Sequence, residues 1–126
     1  DYLATDHAPH TIEEKEKGVS GMPHLDTYGS FTAWLMSEYE FTPQEIARCC
    51  SYNPGQFFNQ FSEEKYGQIQ EGYAGSLTVV DPKAPITIEK KDLETKCGWS
   101  PFEGLEFPGS VKYTIHKGKI VYETPY

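Results

Sequence analysis

Asp6, His7 and His10 stand within five residues of one another, in Thr5-Asp6-His7-Ala8-Pro9-His10, and the charged run Glu13-Glu14-Lys15-Glu16-Lys17 follows closely. A carboxylate and two imidazoles this close can bind a divalent metal, or can move a proton while holding an anion. Leu3-Ala4-Thr5 reads as the end of a buried strand, and Pro9 marks the change to a loop. Barrel and open α/β enzymes keep their chemistry at the C-terminal ends of strands, because the loops above them build the site. The same residues also suit a solvated turn in which Asp6 caps a helix and both imidazoles are incidental. Spacing leaves both readings open, since a close His pair is a weak metal signal.

The elements that would position these groups follow in order. Residues 6–24 contain Pro9, Gly18, Gly21 and Pro23 with little periodicity, so an active-site type of loop is expected. Within it the Glu13 to Lys17 run reads as a solvated, locally helical face. From 27 to 39, Tyr28, Phe31, Trp34, Leu35 and Tyr39 recur at three- and four-residue steps. That spacing predicts a helix with one apolar, core-facing side. Thr42-Pro43-Gln44-Glu45 has the chemistry of a capping box with proline in the first turn, and predicts a second helix with Ile46, Ala47, Cys49 and Cys50 inward. Asn53-Pro54-Gly55-Gln56 predicts the start of a third, short helix carrying Phe57, Phe58 and Phe61.

The character then changes. Gly67, Gly72 and Gly75 lead into a strand over 76–81 stopped by Pro82, and 86–88 gives a second short strand. Residues 89–110 are rich in charge, Gly and Pro and read as a long excursion. Residues 111–116 and 119–122 predict a hairpin around Lys117-Gly118. Helices first and strands second suggest the end of an α/β domain joined to part of a β domain.

A chain of 126 residues with net charge −8 and 37% hydrophobic residues has a soluble, globular composition with room for one domain and a modest core. The acidic balance argues against nucleic acid and anionic membrane as partners, because phosphate demands a basic surface. No apolar run approaches the roughly 20 residues that span a bilayer, and no secretory signal is seen. Cys49, Cys50 and Cys97 are an odd number without a Cys-x-x-Cys pattern, which fits small buried groups in a reducing cytoplasm. The chain begins at Asp1 in what reads as the tail of a strand, so a longer parent is expected. Helix faces as aromatic as 28–39 need a sheet to cover, and exposed apolar area is expected if the chain stands alone.

Thr5-Asp6-His7-Ala8-Pro9-His10 with Glu13-Glu14-Lys15 resembles the signature at the eighth barrel strand of dihydroorotases, metal-dependent cyclic amidohydrolases of pyrimidine biosynthesis in the amidohydrolase superfamily. Further blocks follow in the family's order. They are Gly21-Met22-Pro23 with Leu25-Asp26-Thr27, Ser51-Tyr52-Asn53-Pro54-Gly55, and Gly72-Tyr73-Ala74-Gly75-Ser76 leading to Val79-Val80-Asp81. Ser100-Pro101-Phe102-Glu103-Gly104 with Gly109-Ser110-Val111 completes the set. The similarity covers only the C-terminal portion of such an enzyme. It implies an α/β fold: the C-terminal end of a (β/α)8 barrel followed by part of a small β-sandwich domain. Residues 1–61 would be the last barrel strand, the active-site loop and the following helices, and 62–126 the C-terminal part of the sandwich.

The resemblance also implies an activity: reversible hydrolysis of dihydroorotate to N-carbamoyl-L-aspartate with two zinc ions. Asp6 would ligate zinc and carry the proton, and His10 would bind the substrate carboxylate. Met22 and Pro23 would lie beside the ring, and His7 would orient Asp6 or pack beside it without ligating metal. His24 departs from the pattern, in which many relatives have Gly after the Pro, and this bears on the fit of the substrate loop. The other metal ligands, and the Arg and Asn that hold the carboxylate, are absent; Arg48, the only arginine, lies in the second helix. The chain is therefore expected to be inactive without the missing N-terminal barrel portion. Other expected partners are a second copy or aspartate transcarbamoylase. The alternatives are a non-catalytic dihydroorotase-like assembly partner, a related hydantoinase or allantoinase, and a free-standing domain holding one metal on Asp6, His7 and His10.

Overall fold

A computed structural model describes residues 1–124. Helix α1 (Ile12–Glu16) starts at Thr11, whose hydroxyl accepts the Glu14 N–H while the Glu14 carboxylate accepts the Thr11 N–H. This reciprocal cap forms the helix although no residue of it is buried. The expected solvated helical face is present. A 3-10 turn (Leu25–Thr27) leads into α2 (Tyr28–Glu38), and the predicted Thr42–Glu45 capping box opens α3 (Pro43–Ala47).

The third helix does not start afresh. Chain from α3 runs through a π-helical turn (Arg48–Tyr52) directly into α4 (Asn53–Phe58). Asn53 has helical angles (φ −64°, ψ −46°) and caps nothing; its side-chain amide donates to the Asp1 carbonyl at 2.8 Å. Pro54 inside a helix crowds the carbonyl of the preceding turn, and the widened π turn lies where that crowding falls. On this continuous helix Ile46, Cys49 and Cys50 are half-buried, whereas Ala47 faces solvent rather than inward.

The strand expected over the first five residues does not form. A strand needs a ladder neighbour about 4.8 Å away, and among the described residues none runs alongside 1–5. Instead the Leu3 N–H donates to the Cys49 carbonyl at 3.3 Å, and the Leu3 carbonyl accepts the Tyr28 hydroxyl at 2.7 Å.

Strands β1 (Leu77–Asp81), β4 (Ser110–His116) and β5 (Lys119–Glu123) form an antiparallel sheet in the order β1-β4-β5. Lys117 and Gly118 both have positive φ (48° and 77°), the backbone that a two-residue hairpin turn requires. In the excursion, β2 (Ile86–Thr87) pairs with β3 (Glu106–Phe107).

Helix α2 lies against β1, β3 and β4, and its contact face differs from the expected one. Ser30, Thr32 and Ala33 are buried, while Tyr28, Phe31, Trp34 and Leu35 are half-buried and Tyr39 is exposed. Small side chains take the sheet side because helix and sheet approach closely. A Cβ on Gly29 would collide with the Val111 side chain, and one on Gly109 would stand 2.7 Å from Ala33 Cβ. The aromatics stack on one another instead, Phe31–Trp34 at 5.1 Å and Trp34–Tyr39 at 4.9 Å between ring centroids.

Among the described residues the buried hydrophobic side chains are few: Ala33, Ile88 and Phe107. The accessible surface is 8921 Å², against about 6,800 Å² for a compact monomer of this mass. Many large apolar side chains are exposed. Phe57, Phe58 and Phe61 are exposed and stack edge-on with centroids 5.5 Å apart, and Tyr2 leans on Phe57. Exposed apolar area is present as expected, but around Phe57, Phe58 and Phe61 rather than along the aromatic face of α2, whose rings are half-buried.

Candidate active-site loop

Asp6 sits at a left-handed turn, with φ 47°. Aspartate is among the few residue types that tolerate this conformation. The Thr5 hydroxyl accepts the His7 N–H at 3.2 Å and so braces the turn from either side of Asp6. The Asp6 side chain is exposed, and among the described residues nothing hydrogen-bonds to its carboxylate. The turn thus presents a carboxylate free to meet a ligand, and non-glycine residues in this backbone region concentrate at functional sites.

His7 points the other way, into the loop. Its Nδ1 accepts the backbone N–H groups of His24 at 3.0 Å and Leu25 at 3.3 Å, which leaves the ring proton on Nε2. Next to it the Ala8 N–H donates to the Met22 carbonyl at 3.0 Å, in a parallel bridge between His7 and Met22. Gly21 makes this closure possible. At φ 112°, a Cβ there would stand 2.5 Å from Ala8 Cβ. The Lys15 ammonium donates to the Gly21 carbonyl at 2.8 Å and ties α1 to the same corner. Pro23 is buried by the closure and Met22 is left exposed.

The His10 ring is half-exposed, with Nδ1 3.5 Å from a Glu14 carboxylate oxygen. Glu14 is held below its usual carboxylate range, first by the Thr11 N–H and further by the charge of His10. The His10 carbonyl accepts the Trp99 indole N–H at 2.7 Å, across 89 positions of sequence.

His24 does not open the loop where a glycine would stand. Its ring edge packs on Phe102 with centroids 5.8 Å apart, and its carbonyl accepts both the N–H and the hydroxyl of Thr27. Behind the loop lies an apolar cavity of about 200 Å³ between Leu3–Thr5 and α2, walled by Tyr28, Phe31 and Phe102. Burial pushes the Tyr28 phenol well above its ordinary pKa, so it stays a hydrogen-bond donor to Leu3.

Sequence reasoning did not find Trp99, or Thr95, whose N–H donates to the Asp26 carboxylate at 3.1 Å. Both belong to the excursion, which returns to brace the loop. A lone Trp in a polar, Gly-rich stretch was the available signal.

Metal-ligating groups do not converge here. Among the described residues no three His, Cys, Asp or Glu side chains are placed to hold an ion. The free-standing one-metal reading of Asp6, His7 and His10 is corrected accordingly, because His7 Nδ1 is committed to two backbone amides. Asp6 fits the part of a single ligand; the residues present do not make a metal centre.

Residues 1–121 match the profile of the Amidohydrolase family, and the chain belongs to that family. Family membership suggests a metal cofactor in general terms. Within it the sequence is similar to dihydroorotases: it is 37% identical to that of Pyrococcus furiosus over 121 residues, covering 96% of this chain and 28% of the relative. It is 36% identical to the dihydroorotase of Clostridium acetobutylicum, covering 96% of this chain and 29% of that one. The chain thus spans under a third of the length of these relatives, as a partial dihydroorotase-like chain. In structure it is similar to the L-hydantoinase (dihydropyrimidinase) of Arthrobacter aurescens, with TM-score 0.85 and 22% identity over 98% of this chain and 29% of that one. A D-hydantoinase from Thermus sp. gives TM-score 0.82 at 22% identity, with 98% and 28% covered. These likenesses establish the amidohydrolase fold for a chain of mixed helix and strand. Among the described residues no helix is long and apolar enough to cross a membrane.

Proposed function

We propose that this chain supplies the Asp6 and His10 side of a dihydroorotase centre, which hydrolyses dihydroorotate reversibly to N-carbamoyl-L-aspartate in pyrimidine biosynthesis in the cytoplasm. The observation that carries the reading is the Asp6 carboxylate, set on a braced left-handed turn with no hydrogen-bond partner among the described residues, and with His10 four residues further on in the same loop. In this reading residues 1–61 would supply the last barrel strand, formed once neighbouring barrel strands lie beside 1–5, with the active-site loop and the following helices, and 62–126 would be the C-terminal share of a β-sandwich.

Zinc bound with Asp6 as one of its ligands would polarise the ring amide and lower the pKa of a bound water toward neutrality. Asp6 takes the proton of the attacking water and delivers it to the ring nitrogen as the C–N bond breaks, so that one carboxylate serves as base and then as acid. The half-exposed His10 imidazole receives the substrate carboxylate. Met22 and Pro23, held by the His7 and Ala8 hydrogen bonds, line the ring.

The other metal ligands would come from barrel residues outside this sequence, so these 126 residues alone are inactive. The exposed Tyr2, Phe57, Phe58 and Phe61 support the same view, because they offer an apolar surface for that barrel portion to cover.

The test is a dihydroorotate hydrolysis assay with elemental analysis, on the 126 residues and on a protein that joins them to the rest of the barrel. The joined protein should bind zinc and turn over, and Asp6→Asn should lower kcat by about 10³-fold or more, since both proton transfers pass through Asp6. Good hydantoin turnover with weak dihydroorotate use would replace the substrate by a hydantoin. A folded, joined protein with neither zinc nor turnover would make this a non-catalytic assembly partner.

A further inference from the structure

We propose that Trp99 is a positioning residue for His10, and that the segment from Thr95 to Phe102 acts as a clip setting the site loop from the strand half of the molecule. The inference rests on the reading of His10 as the group that meets the substrate carboxylate. Three contacts carry it. The Trp99 indole N–H donates to the His10 carbonyl at 2.7 Å, the Thr95 N–H donates to the Asp26 carboxylate at 3.1 Å, and the Phe102 ring meets the edge of His24. They fall near the beginning, at the end and just beyond the end of the loop over 6–24.

No other hydrogen bond to the His10 backbone is made by a residue from outside the loop, among those described. The His10 side chain meets Glu14 only at 3.5 Å and at a half-exposed surface, which is weak restraint. The indole bond is different. It is short, half-buried and made by a side chain with two rotatable angles, so it fixes the backbone from which the imidazole projects. Segment 95–102 is held in turn by its own turn chemistry: the Cys97 thiol lies 3.1 Å from the Thr95 hydroxyl, and the Ser100 hydroxyl accepts the Phe102 N–H at 3.2 Å. A neutral hydrogen bond of this kind changes an equilibrium by about three- to tenfold.

The experiment compares Trp99→Phe, which keeps the ring and loses the N–H, with His10→Ala and with the double variant, in the protein joined to the rest of the barrel. Trp99→Phe should raise KM for dihydroorotate by about three- to tenfold with kcat within twofold, and should add little to His10→Ala. In parallel, amide exchange should quicken at Ala8 and neighbouring loop positions, while β1 and β4 amides keep their protection. Unchanged KM, a fall in kcat alone, or faster exchange spread evenly over the sheet would each overturn the proposal. If His10→Ala itself leaves KM unchanged, the substrate role of His10 fails. The exchange pattern then still decides whether Trp99 holds the loop.

Discussion

His7 Nδ1 accepts the backbone N–H of His24 at 3.0 Å, so the residue beside the candidate carboxylate is the one that closes the loop. The chain leaves Asp6 on one side and returns at Met22, Pro23 and His24 on the other, and the His7 imidazole nitrogen joins the two ends beside the Ala8–Met22 backbone bond.

Removing that nitrogen strands the His24 N–H in a half-buried corner and frees the Leu25 N–H, which is exposed and can turn to water. His7→Phe should destabilise the fold by about 1 kcal/mol, the low end of the cost of a buried group left without a partner. His7→Asn can place its side-chain oxygen near the Nδ1 position and should recover most of the loss. Denaturant melts of the three proteins check this. Equal losses for both variants would mean that the acceptor is not what matters.

Gly21 is the second closure point. Gly21→Ala would place Cβ 2.5 Å from Ala8 Cβ at a φ of 112°, so both contact and backbone conformation oppose it. A loss of about 2 kcal/mol or more is expected, in the range of overpacking with backbone strain. By contrast Gly72→Ala, with positive φ but no atom within 4 Å, should cost less. The difference between their midpoints in a thermal melt measures the contact apart from the strain.

The capping box of α3 should give an acid limb to stability. Glu45 lies below its ordinary value of 4.5, chiefly because the Thr42 N–H donates to its carboxylate. A depressed folded value means that the stabilisation is fully present above pH 4.5. It is lost as pH falls through the lower folded value. Glu45→Gln keeps the cap without the charge and should flatten this limb, while Thr42→Ala should lower Tm at neutral pH by about 4–8 °C. Melts between pH 2 and 7 show which behaviour holds.

The aromatic surface at Phe57, Phe58 and Phe61 should govern self-association. Phe58→Ser with Phe61→Ser removes two rings that are 58% and 76% exposed. The double variant of the isolated chain should stay dispersed at higher concentration with little change in Tm, because exposed rings contribute little to the folded state. Light scattering beside a thermal melt reads both quantities. A large fall in Tm would show that these rings belong to the core.

The local devices were legible in the residues alone. The Thr42–Glu45 box, the Lys117-Gly118 hairpin turn and the helix over Tyr28–Glu38 each follow from groups a few positions apart, and a hydrogen bond or backbone angle within one turn does not need the rest of the chain. Asp6 and His10 were legible as candidates for the same reason: their types and spacing lie in one short stretch. Where a reading failed, the geometry of the neighbouring turn or a longer-range contact decided. Asn53 had the composition of a cap, but a π turn carried the helix through it. The aromatic stripe of α2 had the period of a core face, but the sheet comes too close for rings, and Ser30, Thr32 and Ala33 took their place.

By itself the sequence determined which groups could do chemistry, since side-chain type and close spacing are written in it directly. Only the tertiary structure decided how they are held. Trp99 reaches His10 across 89 positions, and His24 turns to Phe102 instead of opening the loop. The physical reason is that such contacts depend on where two distant backbones are brought by the packing of α2 on the sheet, and no local periodicity encodes that distance.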